Sequence, residues 1–255
     1  MYDAVSRHKA IENFVLKIEN SAFKRKYWRF RADRWYGGIA TADCVGCGLL
    51  CKFCWVRDDI MYRPFKVGEF YSHEEISKRL LSIAKEHGFT QLRVSGGEPT
   101  IGKAHLINLL EALDSEKLTF ILETNGILLG NDRAYAKELS RFRILHVRIS
   151  LKGCNENDFS RLTGANPEGF FLQLKSLENL VDEKVSCHPS VMISFSSKES
   201  LNSLIEKLNK IDKRLAKSLE IEELILYPHV VRKIERFGLK YKTGYSPGEI
   251  PKDFI

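Results

Sequence analysis

The sequence predicts an α/β fold of about six βα units around a parallel sheet. Three observations carry this. At 255 residues, 44% of them apolar and only 7 of them proline, the chain can bury a full core and falls within the range of one compact domain. From Gly38 onward, short β-rich runs alternate with amphipathic stretches of helical period. Each run also stops at a glycine, a ligand-type residue or a charged group, at the edge where open α/β sheets and barrels site their chemistry.

The first strand is expected at residues 38–42, just before a group of cysteines. Its helix, residues 73–87, opens on a capping box of Ser72 and Glu75, carries Ile76, Leu80, Ile83 and Ala84 on one face and ends at Gly88. A second strand, 91–94, runs into Ser95-Gly96-Gly97-Glu98-Pro99 and a helix at 103–113. The third, 118–123, ends in Thr124-Asn125-Gly126 before a helix at 133–142. The fourth, 145–151, ends in Lys152-Gly153; its helix starts with Asn166 as N-cap and Pro167 in the first turn, with Phe170, Leu174, Leu177 and Val181 on one side. The fifth, 190–195, precedes a helix bearing Leu201, Leu204, Ile205 and Leu208, and the sixth, 222–227, ends in Pro228-His229. The strand bodies read as apolar filler. Residues 1–37 form a basic and aromatic extension, 38–229 the core, and 230–255 a polar, Gly/Pro-rich tail with little predictable structure.

No stretch approaches the roughly 20 apolar residues of a membrane helix, and residues 1–18 mix charges among their apolar positions instead of forming a signal-peptide block. No membrane partner is expected, and the expected location is cytoplasmic. The formal charge of +7 permits an anionic partner without demonstrating one. Much of the excess is local: Lys24, Arg25, Lys26, Arg29, Arg31 and Arg34 stand among Tyr27, Trp28, Phe30, Trp35 and Tyr36, against one acid, Asp33. That segment reads either as a phosphate-contacting, base-stacking surface or as a solvated element closing the N-terminal side of the fold.

Four of the six cysteines fall between Cys44 and Cys54, a clustering that in a reducing compartment reads as metal ligation and not as disulfides. Cys47-x3-Cys51-x2-Cys54 places three thiolates on one short loop, and a [4Fe-4S] cluster held by three thiolates keeps one iron open. With Cys44 the run could instead bind zinc through four thiolates, or a closed ferredoxin-like cluster. Zinc sites usually leave a longer arm between cysteine pairs, and single-cluster ferredoxins draw a ligand from distant sequence. Cys44 is read as a bystander, with an alternative ligand set that includes it left open. Cys154 and Cys187 stand apart, as small buried hydrophobes.

The Cys-x3-Cys-x2-Cys run, with Phe53 just before its last cysteine, resembles the signature of the radical S-adenosylmethionine (SAM) superfamily. The resemblance implies a partial (β/α)6 barrel with a [4Fe-4S] loop after the first strand, held by Cys47, Cys51 and Cys54. Its open iron would bind the amino and carboxylate groups of SAM, with Phe53 near the adenine. Gly96-Gly97-Glu98-Pro99 is similar to the family's Gly-Gly-Glu-Pro motif, which implies contact with the SAM ammonium; taken alone it is a strand-ending turn.

Further matches resemble one branch, the pyruvate formate-lyase activating enzymes. Glu123-Thr124-Asn125-Gly126 is similar to that group's acid-Thr-Asn-Gly motif, whose acid lies near the SAM methionine or ribose. Ser150-Leu151-Lys152 resembles its Asp-Leu-Lys, with serine in place of aspartate; the lysine would reach the SAM carboxylate. Tyr227-Pro228-His229 resembles its Pro-Tyr-His with the first two residues exchanged, and places His229 by the ribose. Taken singly, Glu123 and Lys152 also fit a solvated pair at strand ends, and His229 an ordinary loop histidine.

The resemblance covers residues 39–229 and implies an enzyme. An electron from a flavodoxin- or ferredoxin-type donor would enter the cluster and break the SAM sulfonium bond to the 5′ carbon. The 5′-deoxyadenosyl radical would then abstract hydrogen from a substrate at the barrel mouth. For the activase branch that substrate is a glycine in a partner protein. The basic segment points to RNA or tRNA modification as the alternative. A non-catalytic iron-sulfur electron carrier is the third reading, and the glycine motif argues against it. Nothing in the sequence indicates an oligomeric state.

Overall fold

In the computed structural model, residues 1–19 and 21–251 are described. Helix α1 (Ala4–Val15) leads into β1 (Leu16–Glu19), which turns back as β2 (Ala22–Asp33), and β3 (Ile39–Cys44) opens the parallel series. The cysteine loop, α2 (Asp58–Tyr62), β4 (Glu69–Tyr71) and α3 (His73–His87) precede β5 (Gln91–Gly96). Then follow α4 (Lys103–Leu113), β6 (Thr119–Thr124), α5 (Ile127–Asn131), α6 (Arg133–Leu139) and β7 (Leu145–Leu151). The chain continues through α7 (Glu156–Thr163), α8 (Glu168–Asp182), β8 (Cys187–Met192), α9 (Lys198–Ile211), α10 (Lys213–Lys217) and β9 (Glu220–Glu222). It ends in β10 (Leu224–Ile225), α11 (Pro228–Arg236) and β11 (Gly244–Tyr245), with β10 and β11 paired as a small separate sheet.

The main sheet runs β1-β2-β3-β5-β6-β7-β8-β9, with β4 on β2. Neighbours from β3 to β9 are parallel, while β2 is antiparallel to β1, β3 and β4. Among the described residues no strand pairs β9 back onto β1, so the barrel is partial, as expected. Local chemistry starts and stops the helices as read: both halves of the Ser72/Glu75 capping box form on α3, and Gly88 ends it in the left-handed region at φ 69°.

Strand alternation then divides the sheet into two faces. Leu92 and Val94 of β5, Phe120 and Leu122 of β6, and Val147, Ile149 and Leu151 of β7 are buried in one core with Leu80, Leu109, Leu110, Leu177 and Leu204 of the helices. Each such side chain contributes about 1.5–3 kcal/mol on burial. Residues of the opposite face, Arg93 and Ser95 of β5, Glu123 of β6, and Arg148 and Ser150 of β7, line the hollow. The strand bodies are therefore not apolar filler; one face carries the charges of the cavity.

Several boundaries differ from the sequence expectation. Most of the basic segment, residues 24–33, lies in the twelve-residue strand β2, with Arg34, Trp35 and Tyr36 in the turn beyond it, and it is neither a free surface nor wholly solvated. Arg25 is 1% exposed and donates to the carbonyl of Ile101 at 3.0 Å; Lys26 is 7% exposed and donates to those of Pro64 and Phe65 at 3.0 and 3.2 Å. Tyr27 bonds His105 at 3.0 Å. The fifth strand begins three residues early, at Cys187, and stops at Met192, and α8 is capped by Pro167, one residue after Asn166. The expected sixth strand divides. Glu220–Glu222 join the sheet because their carboxylates pair with Arg148, and the more apolar Leu224–Ile225 leave it to pair with β11. The tail folds into α11, and its residues 252–255 lie outside the described residues. No helix among the described residues is long and apolar enough to cross a membrane.

Candidate active site

The loop after β3 is stitched onto the end of β5 by main-chain bonds. Gly97 N–H donates to the Cys44 carbonyl at 2.9 Å, and Glu98 N–H to that of Gly46 at 2.8 Å. A Cβ on Gly97 would run into the Gly46 carbonyl oxygen, and Gly96 holds φ 88°. Both glycines are thus required where two backbones touch, before any ligand is considered. Outside contacts hold the rest of the loop. Lys52 N–H donates to the Leu162 carbonyl at 2.9 Å, Leu50 N–H to the Tyr2 hydroxyl at 2.9 Å, and His229 Nε2–H to the Trp55 carbonyl at 2.6 Å.

Cys47, Cys51 and Cys54 line one cavity of about 1250 Å³ at the C-terminal ends of the parallel strands. Cys44 is not among its walls; it is wholly buried in the core on the other face of β3. Burial pushes the Cys47 thiol well above its ordinary range and Cys51 to about 12, with Lys152 and Lys233 partly offsetting the latter. Leu49 N–H and the Asn125 side-chain amide point at Cys47 Sγ, at 3.4 and 3.6 Å. Thiols that line one cavity and resist ionising by themselves lose their protons when a metal binds the thiolates, and the donors aimed at Cys47 Sγ support a thiolate there. This donor set fits a cluster held by three thiolates. Cys154 is buried in the core and Cys187 packs against it, as expected of structural cysteines.

The other expected residues gather around the same cavity. Phe53, 8% exposed, packs against Phe195 with ring centres 5.4 Å apart. Glu123 accepts from Tyr36 Oη at 2.8 Å, Arg93 Nη1 at 3.0 Å and Ser95 Oγ at 2.7 Å. Burial opposes its charge, yet Arg93, Arg148 and these hydrogen bonds outweigh it and lower the carboxyl to about 2. Lys152 Nζ donates to Ser150 Oγ at 2.6 Å, and Ser150 Oγ to Glu222 Oε2 at 3.4 Å. His229 sits at the first turn of α11 on the cavity rim, stacked with Tyr227.

Glu98 is placed differently from the expectation of a carboxylate offered to a ligand. Its oxygens accept from Thr100 N–H and Oγ1 at 3.1 and 2.6 Å, Thr124 Oγ1 at 2.6 Å and Asn125 N–H at 2.8 Å. The carboxylate is an internal brace that fixes the β6 turn against the β5 turn.

The sequence reading missed the charged floor. Arg148, 7% exposed at its side chain, donates to Glu220 at 2.8 and 2.6 Å and to Glu222 at 2.6 Å. Arg93 bridges Glu123 and Asp33, and Arg29 and Arg31 both pair with buried Asp43, at 2.7 and 3.0 Å. The signal was present as alternation in Leu92-Arg93-Val94-Ser95 and Val147-Arg148-Ile149-Ser150, which marks a strand with one charged face.

The model of the Radical SAM superfamily matches residues 43–208. The pyruvate formate-lyase-activating enzyme of Clostridium pasteurianum is 26% identical over 199 residues, 77% of this chain and 79% of the relative. A GTP 3′,8-cyclase of Thermodesulfovibrio yellowstonii is 33% identical over 119 residues, 46% of this chain. The chain spans only 35% of that cyclase. The crystal structure of Streptococcus suis SuiB bound to S-adenosylmethionine superposes with a TM-score of 0.58 at 18% identity, over 76% of this chain and 44% of SuiB. Cysteine loop, partial barrel and family model agree: the chain belongs to the Radical SAM superfamily, whose enzymes use a [4Fe-4S] cluster and S-adenosylmethionine.

Proposed function

We propose that this chain holds a [4Fe-4S] cluster on Cys47, Cys51 and Cys54, binds SAM beside it, and abstracts a hydrogen atom from a partner protein. One observation carries the reading: a single cavity gathers the three thiols, the Gly96-Gly97 turn and the charged ends of β5, β6, β7 and β9. At about 1250 Å³ it exceeds the roughly 300–1,000 Å³ of a one-ligand site, leaving room for part of a second molecule.

When bound, the cluster and SAM supply reductive cleavage of the sulfonium to a 5′-deoxyadenosyl radical. The chain's own residues bind and orient. Phe53, backed by Phe195, offers an apolar wall for the adenine, and Lys152 offers a cation for the SAM carboxylate. Glu123, held ionised by Arg93, offers oxygens to ribose hydroxyls or the ammonium, and Ser150 steadies Lys152. His229 and Trp55 close the rim, while Asn125 and Glu98 keep the turns behind the site fixed. A flavodoxin- or ferredoxin-type protein is proposed as the electron donor.

The likeness to an activating enzyme across 79% of that relative supports a protein substrate over RNA. So does the charge of the wall. Arg29, Arg31, Arg93 and Arg148 are already paired with Asp43, Asp33, Glu123, Glu220 and Glu222, which leaves little field for a phosphate backbone. The test is deuterium transfer. Reconstituted, reduced protein is given SAM and either candidate partner proteins deuterated at glycine Cα or deuterated tRNA. Label entering 5′-deoxyadenosine from the protein supports the reading, and label from the RNA replaces it.

A further inference from the structure

We propose that His8 sets the reduction potential of the cluster by holding the Asn125 side-chain amide on Cys47; the inference rests on the cluster assignment above. His8 lies on α1, far in sequence from the motifs, and is wholly buried. Its Nδ1 is 2.6 Å from the carbonyl of Ala4, which only accepts, so Nδ1 carries the hydrogen and Nε2 carries a lone pair. Asn125 Nδ2 donates to that lone pair at 3.0 Å. Asn125 Oδ1 accepts from Ile127 N–H at 3.0 Å, which fixes which end of the amide is which. The second hydrogen of Nδ2 is then directed at Cys47 Sγ, 3.6 Å away. All three polar positions of the amide are taken, and His8 decides where the last one points.

The packing supports the same role. A Cβ on Gly48 would overlap the His8 ring, so the loop beside Cys47 is moulded on the imidazole. Ligand-type atoms of His8, Cys47 and Glu98 lie within 4.8 Å of one another. They do not make a separate metal site, because the Glu98 oxygens and the His8 lone pair are already engaged. Hydrogen bonds to cluster sulfurs favour the reduced state, which carries one more negative charge. Losing this one lowers the potential.

His8 is a positioning residue, so the readout is the midpoint potential from an EPR-monitored titration of anaerobically reconstituted protein, alongside iron content and thermal unfolding. His8→Leu and Asn125→Asp are each expected to lower the reduced-to-oxidised ratio at fixed poise about fivefold. His8→Gln, which retains an acceptor for the amide, should restore most of it. The double variant should match Asn125→Asp alone. Unchanged potentials in His8→Leu and Asn125→Asp proteins that keep their iron would overturn the inference and leave the cluster assignment standing. A wild-type protein that shows no cluster signal would overturn both.

Discussion

Lys233 on α11 donates to the main-chain carbonyl of Cys54 at 3.0 Å, joining positions 179 residues apart. The same ammonium reaches the Val56 carbonyl at 3.1 Å and Asp58 at 2.7 Å, and it is 4% exposed. Three oxygens converging on one buried cation make α11 the clamp on the C-terminal half of the cysteine loop.

Lys233→Met is therefore expected to strand the Cys54 and Val56 carbonyls, while Asp58 keeps its pair with Arg236. The cost should be about 2–4 kcal/mol, read as a lower urea midpoint. Iron retained after reconstitution should fall at least twofold. Unchanged iron and midpoint would show that the loop does not depend on the clamp.

Gly97→Ala tests the stitch between the loop and β5. The new methyl meets backbone, which cannot rotate away, so the loop must move. Iron binding and SAM affinity should each drop about tenfold or more while far-UV circular dichroism stays as in the wild type. Full iron loading of the variant would mean that the two backbones part without consequence.

The parts that were legible in the sequence are those written in local code. The Ser72/Glu75 cap, the left-handed Gly88 and the alternation of Val147, Ile149 and Leu151 lie within a few residues of what they specify. His8 and Lys233 were not legible, because each acts on the cysteine loop from more than thirty-five positions away, and only the fold brings them there. Arg25 and Lys26 misled for a related reason. A basic run reads as surface until carbonyls from another segment are found capping it. The sixth strand was misplaced because Leu224-Ile225 is the more apolar stretch, whereas the sheet selects Glu220–Glu222 through Arg148.

Acid sensitivity follows from His105. Burial lowers its imidazole from 6.5 to about 4; Nδ1–H donates to the Phe23 carbonyl at 2.9 Å, and Nε2 accepts from Tyr27 at 3.0 Å. The unfolded chain takes up the proton first. This contribution to stability is therefore complete above pH 6.5 and is lost as pH falls toward 4, amounting to about 2 kcal/mol by pH 5. Burial lowers His8 in the same direction. Urea titrations at pH 7 and pH 5 should show this loss, and His105→Gln should reduce the difference between them. An equal slope in the variant would assign the acid sensitivity elsewhere.

Lys152→Met removes the cation beside Ser150 at the cavity wall. SAM binding to the reconstituted protein, measured by equilibrium dialysis, should weaken about tenfold, or about 1.4 kcal/mol, with iron content unchanged. Equal affinity would remove Lys152 from the SAM site.

The most direct test of the central claim is formation of 5′-deoxyadenosine from SAM by anaerobically reconstituted, dithionite-reduced protein. The wild type should bind about four irons per chain and form 5′-deoxyadenosine together with methionine. Cys51→Ala should form neither. A wild-type protein that carries its irons and leaves SAM intact would contradict the account.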